Sequence, residues 1–401
     1  MKTNRILQKY PRLLLFFLSF ALFIGYFLID KVLFMLFHWE QMPENAFSNC
    51  IRVLWNGLPM DISMAGYMML VPGIIMILSL FFTKGLRAVL TAYFLIICTV
   101  VNLIVIPDIG LYSFWGFRID ATIFNYITSP KEALASVSVF FILLVITCIA
   151  VWTIIQFYLL KKSAAILFPA QNSNKKALSA VAWILLLGLM VIPMRGGLST
   201  ATMNISRVYF SDNIFLNHSA INPVFYMLNS FEQEKSLSSQ YRFMSDSEAE
   251  DIVTGIIAQT AGNDSVKFIV SEKPNIIFIV LESFGAAIIE RLGGERGVAP
   301  NLNRLIDEGV FFPNMYANSF RTDRGLVSVF AGFPAQPTMS ILKYPQKAQA
   351  LPSIPQSLIN HGYSASFLHG GDLNFANIRS FIVSQGITDI TMDKDFPVKE
   401  L

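Results

Sequence analysis

Two residues open the question of chemistry, Glu282 and Thr322. Glu282 closes the stretch KPNIIFIVLESF. Asn275 to Leu281 is apolar and β-branched almost throughout, which predicts a strand buried on both faces, as in a parallel sheet. A carboxylate at the carboxyl end of such a strand lies where open α/β sheets bind ligands. Its oxygens are hard donors suited to Mn²⁺, Mg²⁺ or Zn²⁺. The plainer alternative is a carboxylate that caps the next helix. About forty residues on, NSFRTDRGLVSVFAGFP places Thr322 between Arg321 and Arg324, just before a helix-like run. Thr322 could be an ordinary helix cap. As a nucleophile its hydroxyl needs a base or a metal to hold its alkoxide form. Helix-start N–H groups and the flanking arginines would then face an anionic ester. Asp323 reads as a charge at the helix N-terminus rather than a ligand.

His369 follows Ser366 to Leu368 and precedes Gly370, Gly371 and Asp372. A histidine at a strand end before glycines lies on the ligand edge again, or is a satisfied structural side chain. His361 reads as a charge at a helix C-terminus. His38 and His218 read as membrane-edge or connector residues.

The elements that must hold these residues alternate. NLNRLIDEGV, TDRGLVSVFAGF, SIPQSLINHGY and ANIRSFIVSQGI read as helices. NIIFIVLE, VFFPNMYAN, YSASFLHGG and TDITM read as strands with their loops. This predicts an α/β domain with a mainly parallel sheet over residues 273–401. Its elements are fewer than a complete domain of this type needs.

The first half is of another kind. The 401-residue chain is 54% hydrophobic and only 14% charged, against about 25% charged in an ordinary soluble domain. Five apolar segments, 13–36, 63–82, 86–107, 134–160 and 177–193, are each close to the ~20 residues that cross a bilayer. They predict a transmembrane domain over 1–194, followed by a connector over 195–272. Pro72 and Gly73 predict a kink in the second segment. Ser245 and Glu248 fit a capping box in the connector. Ten Lys or Arg lie in the N-terminal tail and the even loops, against Arg52, Arg118 and Lys131 in the odd ones. That bias places the N-terminus inside and everything after Pro193 outside the cytoplasm. The loop 106–136 carries Tyr112, Phe114, Trp115, Phe117, Phe124 and Tyr126, which fits either a lipid-facing platform or ordinary packing between helices. Cys50, Cys98 and Cys148 all fall in the hydrophobic half, so the outer half holds neither a disulfide nor a cysteine nucleophile. A formal charge of +3 gives no footprint for nucleic acid.

Five helices, an outer connector, NIIFIVLESF, SFRTDRG and FLHGGDLNFANIRSF together resemble the lipoteichoic acid synthase family, within the alkaline phosphatase and sulfatase superfamily. The wording SFRTDRG, AGFPAQPT and HGGDLNFANIRSF is most similar to the form found in Bacteroidetes. The resemblance implies a five-helix transmembrane domain joined to an extracytoplasmic α/β domain of alkaline phosphatase type, anchored in a bacterial plasma membrane. It implies transfer of a phosphoglycerol or phosphoethanolamine group from a phospholipid to a glycolipid or envelope glycan, or ester hydrolysis. Glu282 then matches a metal-binding glutamate, Thr322 a metal-bound nucleophile, and His369 a substrate-contacting histidine. Arg321, Arg324, Lys343 and Arg379 are the further candidates for phosphate contacts. The resemblance also implies a divalent metal, Mn²⁺ first and Zn²⁺ or Mg²⁺ next.

The family completes its metal site with an Asp-His pair further along. No such pair follows Thr322 here, so the expectation is a C-terminally incomplete domain with two of four ligands, inactive by itself. Two other readings stand beside the transferase. A sulfatase that uses formylglycine needs Cys or Ser leading a C/S-x-P-x-R pattern, and Thr322 followed by Asp323, Arg324 and Gly325 does not supply it. A catalytically dead membrane scaffold is the other.

Overall fold

The computed structural model describes residues 10–82, 84–121, 123, 139–168, 175–199, 201–234, 243–260, 271–319, 321–336 and 339–397. The chain divides into two compact units, Met1–Ser236 with Met339–Leu401, and Leu237–Thr338.

The first unit is built on a helix bundle. Its helices are α1 (Pro11–Phe37), α2 (Ala46–Met68), α3 (Leu70–Leu78), α4 (Leu86–Trp115), α5 (Val139–Leu167), α6 (Lys176–Leu189) and α7 (Val191–Arg195). Counting α2 with α3 and α6 with α7, the described residues hold five spans long and apolar enough to cross a membrane. Chain punctuation explains their shape. Pro72 lacks an N–H and crowds the carbonyl four residues back, so the second span is interrupted at Met69. Next to it Gly73 lets α6 approach, since a Cβ there would collide with Leu187 Cδ2. Just past the C-terminal end of the same span, the Arg12 guanidinium donates to the Ser79 hydroxyl and carbonyl at 2.9 and 2.8 Å.

Two boundaries differ from the sequence expectation. The second span begins at Ala46, not at residue 63. Asn49, Arg52, Asn56 and Asp61 make that stretch read as a loop. In the fold Asp61 is enclosed by a hydrogen-bonded cation, Lys31, so the polar residue sits inside the bundle. The third span continues past Pro107 to Trp115. A single proline within a long apolar helix removes one hydrogen bond without ending it. The start expected at residue 134 lies outside the described residues, where the fourth span is seen from Val139.

The connector closes over the bundle with α8 (Ile214–Ala220) and α9 (Pro223–Glu234). Asn213 caps α8 by accepting from the Leu216 N–H at 3.2 Å. Asn217, His218, Ser219 and Asn222 are fully buried. The aromatic loop splits in its behaviour. Tyr112 and Phe117 are buried, which is the packing alternative, whereas Phe114 is 83% exposed. Phe124 and Tyr126 lie outside the described residues. His38 and His218 are both interior, His38 bonded to the Ile109 carbonyl at 2.8 Å and His218 to the Tyr112 hydroxyl at 2.9 Å.

The rest of this unit is the segment from Met339 onward. It contains β1 (Ser366–Leu368) and β2 (Asp389–Thr391), paired in parallel, with the helix Ile378–Ser384 between them. That is the βαβ order expected from YSASFLHGG, ANIRSFIVSQGI and TDITM. The segment is held to the connector by the Ser380 N–H, which donates to the Ser206 hydroxyl at 3.2 Å, and by the Asn204 amide, which donates to the Asn374 carbonyl at 2.8 Å.

The second unit contains the helices Asp246–Thr260, Pro300–Glu308 and Thr322–Ala331. Ser245 accepts from the Glu248 N–H at 3.3 Å, the first half of the expected capping box. NIIFIVLE is corrected here. Residues 275–281 form no strand ladder, and Ile277 and Ile279 are 84% and 77% exposed. A strand is buried on both faces only between neighbouring strands under covering helices. Among the described residues the only sheet is β1 with β2, three residues each. VFFPNMYAN likewise carries no strand.

Candidate active site

The second unit brings Glu282 and Thr322 together. Thr322 opens the helix Thr322–Ala331, whose N-cap position falls on Arg321 and has no side-chain cap. The Thr322 hydroxyl is therefore not used as a cap. It donates instead to Glu282 Oε1 at 2.7 Å. Glu282 does not cap a helix either, since the next helical turn, Ala286–Ile288, has no side-chain cap. Ser283 beside it has φ 58°, a left-handed conformation that a non-glycine residue seldom adopts. Such a bend lets the chain leave the extended segment abruptly, with Glu282 at its tip.

Arg321 and Arg324 flank the hydroxyl, Arg321 exposed and Arg324 half-buried. Arg324 and Gly325 both donate their N–H to the Arg321 carbonyl, at 3.1 and 2.9 Å, which sets the first helical turn. The apolar face of this helix is fixed by Leu326, Val327 and Phe330, all buried. Its far end turns at Gly332, φ 63°, and the Ser328 hydroxyl closes it by donating to the Phe333 carbonyl at 2.8 Å. Asn318 adds a link that sequence reasoning missed. Its side-chain carbonyl accepts from the Ala335 N–H at 2.5 Å, joining the approach to Thr322 with the segment after the helix. An asparagine in NSF carries no periodic signal, so nothing in the sequence marked it.

Lys343, His369 and Arg379 lie in the first unit. His369 follows β1, its N–H donating to the Thr391 carbonyl at 2.9 Å and its ring stacked on Phe367 with centroids 6.0 Å apart. Arg379 sits in the first turn of Ile378–Ser384, near Asp372 and Asp395. Burial lowers its pKa, and the two carboxylates oppose that shift. Lys343 is exposed, at the end of the turn Ile341–Lys343 that Ser340 caps. Asn377 links these last two, because its amide donates to the Leu342 carbonyl at 3.0 Å from a left-handed turn, φ 63°, ahead of Arg379. Asp372 folds the preceding loop by accepting from the Asn374 N–H and amide at 2.9 and 2.8 Å.

The donor set can be weighed against a divalent metal. Glu282 and Thr322 offer two adjacent oxygens on an open surface, the chemistry that Mn²⁺ or Mg²⁺ takes. Among the described residues no group of three or more His, Cys, Asp or Glu is placed to hold a metal. The pair fits as part of a coordination shell.

Residues 274–396 match the family model described as Sulfatase, which marks this segment as a sulfatase-family domain. Among curated proteins, the chain is similar to the ulvan-active sulfatase of Formosa agariphila, 38% identical over 58 residues. The match covers 14% of this chain and about a tenth of that relative's length. No solved structure matches.

Proposed function

We propose that the protein is a membrane-bound, metal-dependent phosphotransferase that moves a phospholipid head group through a covalent Thr322 ester. The observation that carries this reading is the Thr322 hydroxyl on Glu282 at 2.7 Å, at a helix start flanked by Arg321 and Arg324. Glu282 and Thr322 would hold the metal, Mn²⁺ first and Zn²⁺ or Mg²⁺ next. A bound divalent ion lowers the pKa of the oxygen it touches and offsets charge on a phosphoryl group. In the resting state Glu282 accepts the hydrogen bond that the Thr322 hydroxyl donates, which holds that hydroxyl in place. The helix N-terminus and the two arginines bind the anionic phosphodiester. Lys343, His369 and Arg379 are assigned to the same substrate, by resemblance of their motifs to the lipoteichoic acid synthase family. In this reading the five spans anchor the protein in a bacterial plasma membrane, with the donor lipid in the bilayer and a glycolipid or envelope glycan as acceptor outside.

The similarity to an ulvan-active sulfatase favours a second reading, hydrolysis of a sulfate ester. Threonine at position 322 weighs against it, because formylglycine forms from Cys or Ser. One experiment separates the two. The full-length protein, in detergent with Mn²⁺, is given phosphatidylglycerol, phosphatidylethanolamine or an aryl sulfate. Diacylglycerol release from either lipid supports the transferase. Sulfate release with neither lipid consumed replaces it with the sulfatase.

A further inference from the structure

Among the described residues, the five most deeply buried charged side chains lie within the helix bundle, three acidic against two basic. Asp30, Asp61 and Asp108 stand with Lys31 and Arg118, none more than 4% exposed. Two carboxylates have a cation each. Lys31 Nζ is hydrogen-bonded to Asp61 Oδ1, which also accepts from the Asn222 amide at 2.9 Å. Arg118 Nη2 lies 3.0 Å from Asp108 Oδ2, and Asp108 Oδ1 accepts from the Ile119 N–H at 2.7 Å. The Arg118 guanidinium also covers the Phe34 ring, 3.9 Å from its centre.

Asp30 is left over. Its Oδ1 accepts from the Trp152 indole N–H at 2.8 Å, and its Oδ2 has no hydrogen-bond partner among the described residues. The charged and titratable groups around it are Lys31 on its own helix, Asp61 from α2, Cys98 from α4, and Arg118 from the segment after α4. From α5 comes the neutral Trp152. The α3 sequence LVPGIIMIL has no ionisable residue, and His218 of α8 is engaged by Tyr112. A third carboxylate ion here would be an uncompensated charge in a low-dielectric interior, beside the like charge of Asp61. Such a charge is strongly disfavoured, whereas a carboxylic acid at the same place is neutral.

We propose that Asp30 is a proton-binding site inside the membrane domain, its carboxyl protonated while Asp61 and Asp108 remain ionised beside Lys31 and Arg118. The step is a plain acid dissociation: the O–H bond breaks, the electron pair stays on the carboxylate, and the proton goes to water. The site adjoins the connector. Asn222, which donates to Asp61, also accepts from the Val224 and Phe225 N–H groups at 3.1 and 3.0 Å and so starts α9. Loss of the proton sets Asp30 in competition with Asp61 for Lys31, and thereby weakens the point where α2 and the connector meet.

Infrared spectroscopy of the full chain in lipid nanodiscs tests this, since a protonated carboxyl has a carbonyl band apart from those of carboxylates. At neutral pH the parent should show a buried, slowly exchanging carboxylic acid band. Asp30→Asn, close in shape to the neutral acid, should fold and lose that band, and Asp61→Asn, which frees Lys31 to pair with Asp30, should weaken it. If Asp30→Asn does not fold, Trp152→Phe serves. It removes the bond to Oδ1 and should shift the band without abolishing it. An Asp30→Asn spectrum identical to the parent, or no shift in Trp152→Phe, overturns the proposal. So does a parent with no acid band that is stabilised by sodium over potassium, because a metal cation then balances the charge.

Discussion

The Thr322 hydroxyl donates to the Glu282 carboxylate across 2.7 Å, joining residues 40 positions apart. Neither side chain spends itself on a helix cap. The pair couples a nucleophile type that is inert alone to a carboxylate that can share it with a metal. Glu282→Gln keeps the shape and removes the charge, so the full-length protein should lose most of its Mn²⁺ or Zn²⁺ affinity. Elemental analysis after gel filtration reads this. Unchanged metal content would make Glu282 only a hydrogen-bond acceptor for Thr322.

The Lys31–Asp61 pair should be strongly coupled. Lys31→Met leaves Asp61 buried without its cation, which should cost about 3–5 kcal/mol. Asp61→Asn in the same chain should restore part of that loss. Gly57→Ala acts on the same pair from the side, since its Cβ would meet Lys31 Cε and the Ala220 carbonyl, each at 2.6 Å. Unfolding in mixed micelles measures all three. Additive losses in the double variant would mean the two side chains do not interact.

His218 gives an acid-side dependence. Burial, with a smaller contribution from Arg118, pushes its imidazole down to about 3, against about 6.5 in an unfolded chain. Between these values the unfolded state binds a proton that the folded state refuses. Stability from this group is therefore complete above about 6.5 and falls as pH drops through the window, by up to ~1.4 kcal/mol per pH unit. His218→Asn loses an interior contact and should start from a lower Tm at neutral pH. Its Tm should then fall less steeply than the parent's as pH is lowered from about 6.5 toward about 4. Parallel acid arms would assign the parent's slope to other groups.

Loop charges predict the topology. A reporter active only in the cytoplasm, fused after Leu401, should be silent, and the same reporter fused ahead of Met1 should be active. Activity at the C-terminal fusion would reverse the orientation.

Much of this was readable in the sequence where one signal dominated. Five long apolar runs became five spans, and NLNRLIDEGV, TDRGLVSVFAGF, SIPQSLINHGY and ANIRSFIVSQGI each became a helix. Thr322 and Glu282 were readable as candidates because one stands just before an apolar helix-like run and the other closes an apolar run, each with a group suited to metal chemistry. Other features rest on partners far along the chain. Asp61 looked like a loop residue until Lys31 was placed beside it, and Asp108 and Arg118 become a pair only when the chain turns at Gly116. The apolar run before Glu282 carried a strand signal, but pairing depends on neighbours that periodicity does not reveal. Asn318 and Asn377 act through single hydrogen bonds, which leave no pattern in sequence at all.

The central claim is that Thr322 carries the transferred group. The direct measurement is the intact mass of the full-length protein after incubation with phosphatidylglycerol and Mn²⁺ in the absence of acceptor. The expected result is an added glycerophosphoryl mass that peptide mapping places on Thr322. Thr322→Ser should form it more slowly, because the oxygen remains while the methyl that restricts its rotamer is gone. Thr322→Ala should form none while still binding the lipid. Lipid turnover by Thr322→Ala at near the parent rate would contradict the account and leave Thr322 a residue of the helix start alone.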